Sequence, residues 1–226
     1  MKLLNETIKD DELKAFIKQH DDIKQAIDTY NFDYIYNAFD NNLDSNGFSY
    51  ANTFTKLLFK AGINPLDYLT YIPDSYSSYN DYITTVTIPK HISEIGTFAF
   101  TGCYNLKKVK LHSKIKKIGR FAFASCYNLS SIELPAAILE IDDGTFASTG
   151  LEQIVLPEGI IKIHKEAFEG CKNLKEIRIP QSVTFIDASA FKDCSNNLKI
   201  YIPKHLKSSM YHSNRKLYNS PNTIWY

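Results

Sequence analysis

The feature that most constrains this chain is a motif that returns every 23 residues. From Thr84 the sequence reads TTVTIPKHISEIGTFAFTGCYNL and then KKVKLHSKIKKIGRFAFASCYNL, so that Ile95, Gly96, Ala99, Phe100, Cys103 and Leu106 return as Ile118, Gly119, Ala122, Phe123, Cys126 and Leu129. A third unit, SSIELPAAILEIDDGTFASTGL, is one residue shorter and carries Thr149 in place of the cysteine. EQIVLPEGIIKIHKEAFEGCKNL and KEIRIPQSVTFIDASAFKDCSNNL complete five units, followed by a last apolar pair at Ile200 and Ile202. A fixed period in this range means one small structural unit stacked on itself, because no unit of that size buries its own apolar face.

Each unit opens with an alternating apolar pair: Val86/Ile88, Val109/Leu111, Ile132/Leu134, Ile154/Leu156 and Ile177/Ile179. Alternation of this kind reads as a short strand with one inward face. Stacked in parallel about 4.8 Å apart, such strands form one continuous sheet over one continuous core. Proline follows the strand at Pro89, Pro135, Pro157, Pro180 and Pro203, where the missing N–H ends ladder bonding. The AF step reads as a helical turn that returns Phe100, Phe123, Phe146, Phe168 and Phe191 to the interior as a stacked row.

The pattern IP-x-x-[IV]-x-x-I-x-x-x-[AT]-F-x-x-C-x-x-L resembles the BspA-like, or Treponema-type, leucine-rich repeat over residues 84 to about 203. That resemblance implies an α/β solenoid with a parallel β-sheet face, used for adhesion and protein recognition, often on bacterial surfaces and also in protists and phages. The expected organisation is a helical N-terminal cap over residues 1–70, a repeat solenoid over 71–203, and a C-terminal cap with an aromatic tail over 204–226. In the first part, Leu13, Phe16 and Ile17 share a helical face; Phe32, Ile35, Tyr36 and Phe39 share another, and Phe54, Leu57 and Leu58 a third. Asp10, Asp21 and Asn31 stand where N-caps are expected, and NNLDSNG (41–47) reads as a loop. The tail NRKLYNSPNTIWY either packs on the last repeat or stays free for a partner. The stretch TKLLFKAGINPLDYLTYIPDSY also resembles leaders that precede such repeats in phage and gut-bacterial proteins, which implies a phage-encoded inhibitor of a bacterial defence protein.

Charge divides the chain. Residues 1–83 carry 7 lysines against 13 acidic residues, net −6, and residues 84–226 carry 19 basic against 12 acidic, net +7. MKLLNETIKDDELK puts acids where a signal peptide needs an apolar run, and no apolar stretch approaches the ~20 residues that span a bilayer, so a cytoplasmic location and no membrane partner are expected.

Little points to chemistry. Cys103, Cys126, Cys171 and Cys194 fall at one repeat position, so their side chains run in a row, and parallel neighbours cannot surround a tetrahedral metal. They read as buried packing thiols, and a Cys126–His112 dyad would need an exposed, electropositive thiol. The six histidines show no metal-binding spacing, and no glycine-rich phosphate loop is present, so no catalytic residue, metal or cofactor is expected.

A docking surface is expected instead. Residues between the inward pairs face outward on the sheet, which makes Lys108, Lys110, Glu133, Gln153, Glu176, Arg178, Lys199 and Tyr201 the candidate partner-binding set. Arg178 and Tyr201 are the preferred anchors, being residue types enriched at interface hot spots. The second unit is basic (Lys107, Lys108, Lys110, Lys114, Lys116, Lys117, Arg120), which suits an acidic protein partner. Nucleic-acid binding is the weaker alternative, since only Lys108 and Lys110 fall on the sheet face and no aromatic stacking pattern accompanies them.

Overall fold

The structure, a computed structural model, describes residues 11–29, 31–39, 50, 53–55, 58 and 64–226. The expectations for Asp10, the 41–47 loop, Leu57 and the side chain of Leu13 lie outside the described residues. Three short helices come first: α1 (Asp11–Lys18), α2 (Asp21–Asp28) and α3 (Phe32–Phe39). Their apolar residues recur at helical spacing, and Ile17, Ile23, Ile27, Phe32, Ile35, Tyr36 and Phe39 are all buried together with Phe54 and Leu58. The N-cap of α2 is His20 rather than Asp21, which becomes the first helical residue, where its charge suits the positive end of the helix. For α3 the Ile35 N–H donates to the Asn31 carbonyl, so Asn31 precedes that helix as expected.

The repeats wind a solenoid in which every turn contributes to three walls. The first is the expected sheet: β1 (Thr85–Thr87) pairs in parallel with β3 (Lys108–Lys110), and β7 (Glu176–Arg178) pairs with β9 (Lys199–Ile202). Between them the ladder thins to a single bridge, Glu133 to Val155. The second wall was not expected. It is a row of two-residue strands, β2 (Glu94–Ile95), β4 (Lys117–Ile118), β5 (Glu140–Ile141), β6 (Lys162–Ile163) and β8 (Phe185–Ile186), pairing β2 with β4 and running β5–β6–β8. Their second residues, Ile95, Ile118, Ile141, Ile163 and Ile186, are all buried. Ile72 already bridges to Ile95, so the solenoid starts one turn before Thr84.

The third wall carries the AF step, and here the expectation of a helical turn is corrected. The segments are turns bonded from one rung to the next: the Phe100 N–H donates to Ala122 O, Phe123 to Thr145 O, Phe146 to Ala167 O and Phe168 to Ala190 O, all within 2.8–3.0 Å. A helix would have spent those donors within the segment. Left-handed residues make the corners, including Phe98 (φ 56), Phe121 (φ 53) and Gly144 (φ 57). The phenylalanines stack as expected, with ring centroids 5.5, 6.0, 5.7 and 5.4 Å apart from Phe100 through Phe191. Burying each ring contributes roughly 1.5–3 kcal/mol.

This aromatic row runs on into the helices. Tyr76 lies edge-on to Phe100 at 5.7 Å, Tyr36 follows at 5.5 Å, and Phe54 packs against both Tyr36 and Phe32. Asp33 accepts from the Thr70 N–H (3.0 Å) and hydroxyl (2.7 Å), tying α3 to the first turn. At the other end a 3-10 turn (Lys204–Leu206), α4 (Lys207–Ser213) and α5 (Arg215–Tyr218) bury Leu206, Met210 and Leu217. The tail then returns as β10 (Thr223–Trp225), in parallel register on β9. Of the two fates open to the tail, packing on the last repeat is the one observed.

Candidate functional site

Strand register on the first wall sets which outward residues stand side by side. Thr85 pairs with Lys108 and Thr87 with Lys110; Glu176 pairs with Lys199, Arg178 with Tyr201, and Tyr201 in turn with Ile224. The face therefore holds two rows. Lys108, Gln153, Glu176 and Lys199 occupy one, and Lys110, Glu133, Val155, Arg178 and Tyr201 the other. Every residue of the candidate set is exposed except Tyr201, which is half-buried. The eight are thus brought onto one face, acidic and basic residues interspersed.

Two features of that face escaped the candidate set. Val155 stands 82% exposed in the middle of the second row, an apolar side chain where its neighbours are charged. Strand alternation placed it outward, but its residue type gave no reason to single it out. The other is the tail. The Arg178 guanidinium lies 3.7 Å from the ring centroid of Tyr226 and 5.9 Å from that of Tyr201, and the Tyr226 hydroxyl donates to Ile179 O at 2.6 Å. Both preferred anchors are therefore already engaged within the molecule, and the tail extends the face by one more strand.

The basic unit is dispersed. Lys108 and Lys110 lie on the first wall, Lys117 lies on the second opposite Glu94, and Arg120 pairs with Asp143 at 2.9 Å. The expectation that no aromatic stacking accompanies it is corrected: Tyr104 stacks on Tyr127 at 5.4 Å and Phe98 on Phe121 at 5.2 Å, each within 5° of parallel. Residues one period apart must superpose, so these pairs follow from the repeat itself.

The cysteine row has a structural part. Cys103 donates its thiol to Ser77 O, Cys126 to Phe100 O, Cys171 to Phe146 O and Cys194 to Phe168 O, at 3.0–3.2 Å. Each thiol satisfies a carbonyl of the preceding rung. Burial pushes the Cys126 and Cys171 thiols upward and Cys194 up to about 12, which favours the protonated form of these three. His112 donates to Pro89 O, which separates it in function from Cys126; His91 and His205 likewise donate to carbonyls of the preceding turn. Among the described residues no group of histidines, cysteines and acids could hold a metal ion, and no helix is long and apolar enough to cross a membrane.

Comparison with known families agrees with this architecture. Residues 70–199 match the BspA type leucine-rich repeat region in six copies. The comparison with curated proteins finds no match. Among solved structures, a leucine-rich repeat protein of T. pallidum is 20% identical, with 63% of this chain and 76% of that one covered and a TM-score of 0.48. A leucine-rich repeat protein of Bacteroides ovatus is 24% identical, with 71% and 46% covered and a TM-score of 0.44. A leucine-rich cell surface protein of Faecalibacterium prausnitzii is 21% identical, with 60% and 64% covered and a TM-score of 0.29. The chain thus spans less than two thirds of the length of two of these three.

Proposed function

Because this chain belongs to the BspA type leucine-rich repeat family, we propose that it is a non-enzymatic module that binds a partner protein through the outward face of its first wall. The observation that carries this reading is the pair of aligned rows, Lys108, Gln153, Glu176 and Lys199 beside Lys110, Glu133, Val155, Arg178 and Tyr201, on rungs stacked through paired strands and the Glu133–Val155 bridge. A frame that repeats while its outward residues vary presents one particular pattern, which suits recognition of one particular surface. The exposed Val155 supplies an apolar centre, the charged residues around it supply a polar rim, and that is the usual anatomy of a protein interface. Mixed charge on the face admits a partner with acidic groups opposite Lys108 and Lys110.

The test compares affinity capture by the parent protein with capture by a Lys110→Glu, Val155→Asp variant. Neither side chain holds the fold, so an unchanged unfolding midpoint is expected together with loss of the captured protein. Replacing Arg178 or Tyr201 would be less informative, since Arg178 also packs on Tyr226 of the tail and Tyr201 packs on Arg178. Capture that survives the double change removes the first wall from consideration. A blocking inhibitor of a bacterial defence protein and a surface adhesin are two uses of the same face, and the identity of the captured protein separates them.

A further inference from the structure

On the third wall the hydrogen bonds between rungs have a direction. The N–H groups of Phe100 and Gly102 donate to Ala122 and Ala124, those of Phe123 and Ser125 to Thr145 and Ala147, those of Phe146 and Ser148 to Ala167 and Glu169, and those of Phe168 and Gly170 to Ala190 and Lys192. The donor is always on the earlier rung. In the last rung the equivalent donors are Phe191 and Asp193, and their N–H groups have no acceptor among the described residues.

Other elements of this wall stop at the same place. Phe100, Phe123, Phe146 and Phe168 are fully buried, whereas Phe191, 5.4 Å from Phe168 and within 3° of parallel, is half-buried and has one face uncovered by any ring among the described residues. Cys194 is likewise the one half-buried thiol of its row. In front of them lies a cavity of about 580 Å³, with Phe191, Cys194, Leu198 and Ile200 on one side and Asn214 and Leu217 on the other. The C-terminal segment caps the first wall with β10 and reaches the corner through the Asn214 amide on Asp187 O, but it does not complete the third.

We propose that this open end is a second docking site, which takes a turn-forming segment of a partner protein. The segment places one aromatic side chain on Phe191 and offers two backbone carbonyls to the N–H groups of Phe191 and Asp193. Three observations select this occupant. The rings of the row sit 5.4–6.0 Å apart and nearly parallel, so the next position accepts a flat ring. The free edge is made of donors two residues apart, which in every other rung meet the carbonyls of two turn residues of the next rung, as Phe168 and Gly170 meet Ala190 and Lys192. The cavity is of the size that holds a bulky side chain and part of its backbone. A second copy of this chain is a poor fit. Two such ends face to face would set donors against donors, and at the opposite end Tyr36 on Tyr76 already covers the row.

The probe is a synthetic peptide of this chain's own residues 187–198, DASAFKDCSNNL, which carries the turn that would form one more rung. Its binding is followed by calorimetry against the parent protein and against Ala188→Trp, which fills the cavity mouth from an exposed position. Saturable one-to-one binding is expected. It should weaken at least tenfold when the peptide carries Phe191→Ala and at least tenfold when the protein carries Ala188→Trp, with the protein's unfolding midpoint unchanged. The Lys110→Glu, Val155→Asp variant should bind the peptide as the parent does, which separates this site from the first wall. Absence of binding, equal affinity for the alanine peptide, or indifference to Ala188→Trp would each overturn the proposal. So would a dimer in sedimentation that Ala188→Trp abolishes, because it would put a second copy in the slot.

Discussion

Phe123 and Phe191 occupy the same position of the repeat, yet they differ in what surrounds them. Phe123 has a ring on each face and is fully buried, so Phe123→Ala should cost about 3–5 kcal/mol in denaturant unfolding. Phe191→Ala should cost less, since one face of that ring is open. At Gly144 the backbone is left-handed (φ 57) and an added Cβ would sit 2.1 Å from a ring carbon of Phe121. Gly144→Ala should therefore destabilise by about 1–2 kcal/mol from the backbone alone, with the steric cost added, again read from denaturant unfolding. Glu140 is a matter of pH. The hydrogen bond to His164 (2.7 Å) and then the nearby Lys162 (3.4 Å) hold its carboxyl below the usual range. A carboxyl lowered in the folded state stabilises fully above its unfolded pKa of about 4.3, and loses that contribution as pH falls through the folded value. Glu140→Gln should thus lower the thermal midpoint at neutral pH, and the difference from the parent should fade as pH falls through the lowered folded value. The positions of Phe123, Phe191 and the cysteines were legible in the repeat; the His164–Glu140 contact was not, because it joins side chains 24 residues apart that meet only when rungs stack.

At the scale of elements, the first wall followed from apolar alternation and the second did not. Two-residue strands such as Lys117–Ile118 are too short to show alternation, and only their place beside the same residues of the next rung makes them strands. The AF turns look helical in sequence because their bonds within a rung span three residues, as in Ala124 N–H to Phe121 O. Their identity is decided by the other donors, which reach the next rung. The tail was ambiguous for a similar reason: NTIW pairs because β9 would otherwise be an open edge. Deleting residues 223–226 should expose that edge and release Arg178 from Tyr226. A lower thermal midpoint is expected, with concentration-dependent self-association in size-exclusion chromatography.

For the whole molecule, the aromatic row from Phe191 through Phe100, Tyr76 and Tyr36 to Phe32 makes one core out of repeats and helices. In a stacked array each unit depends on its neighbours, and an uncovered end loosens what lies behind it. The proposal that residues 1–70 act as a cap therefore predicts that Tyr36→Ala lowers the unfolding midpoint read by helical circular dichroism and the one read by Trp225 emission together. Two separated transitions would show the helical part to be a unit on its own.

The period alone determined that this chain stacks, which residues face inward, and that the phenylalanines and cysteines form rows, because residues one period apart must superpose. Tertiary structure alone decided where the rows end. It set the Tyr76 lid at one end and the uncovered Phe191 at the other, and it turned the tail into a strand that engages Arg178. The physical reason is that interior rungs share one environment and repeat it in the sequence, while each end meets a segment that repeats nothing.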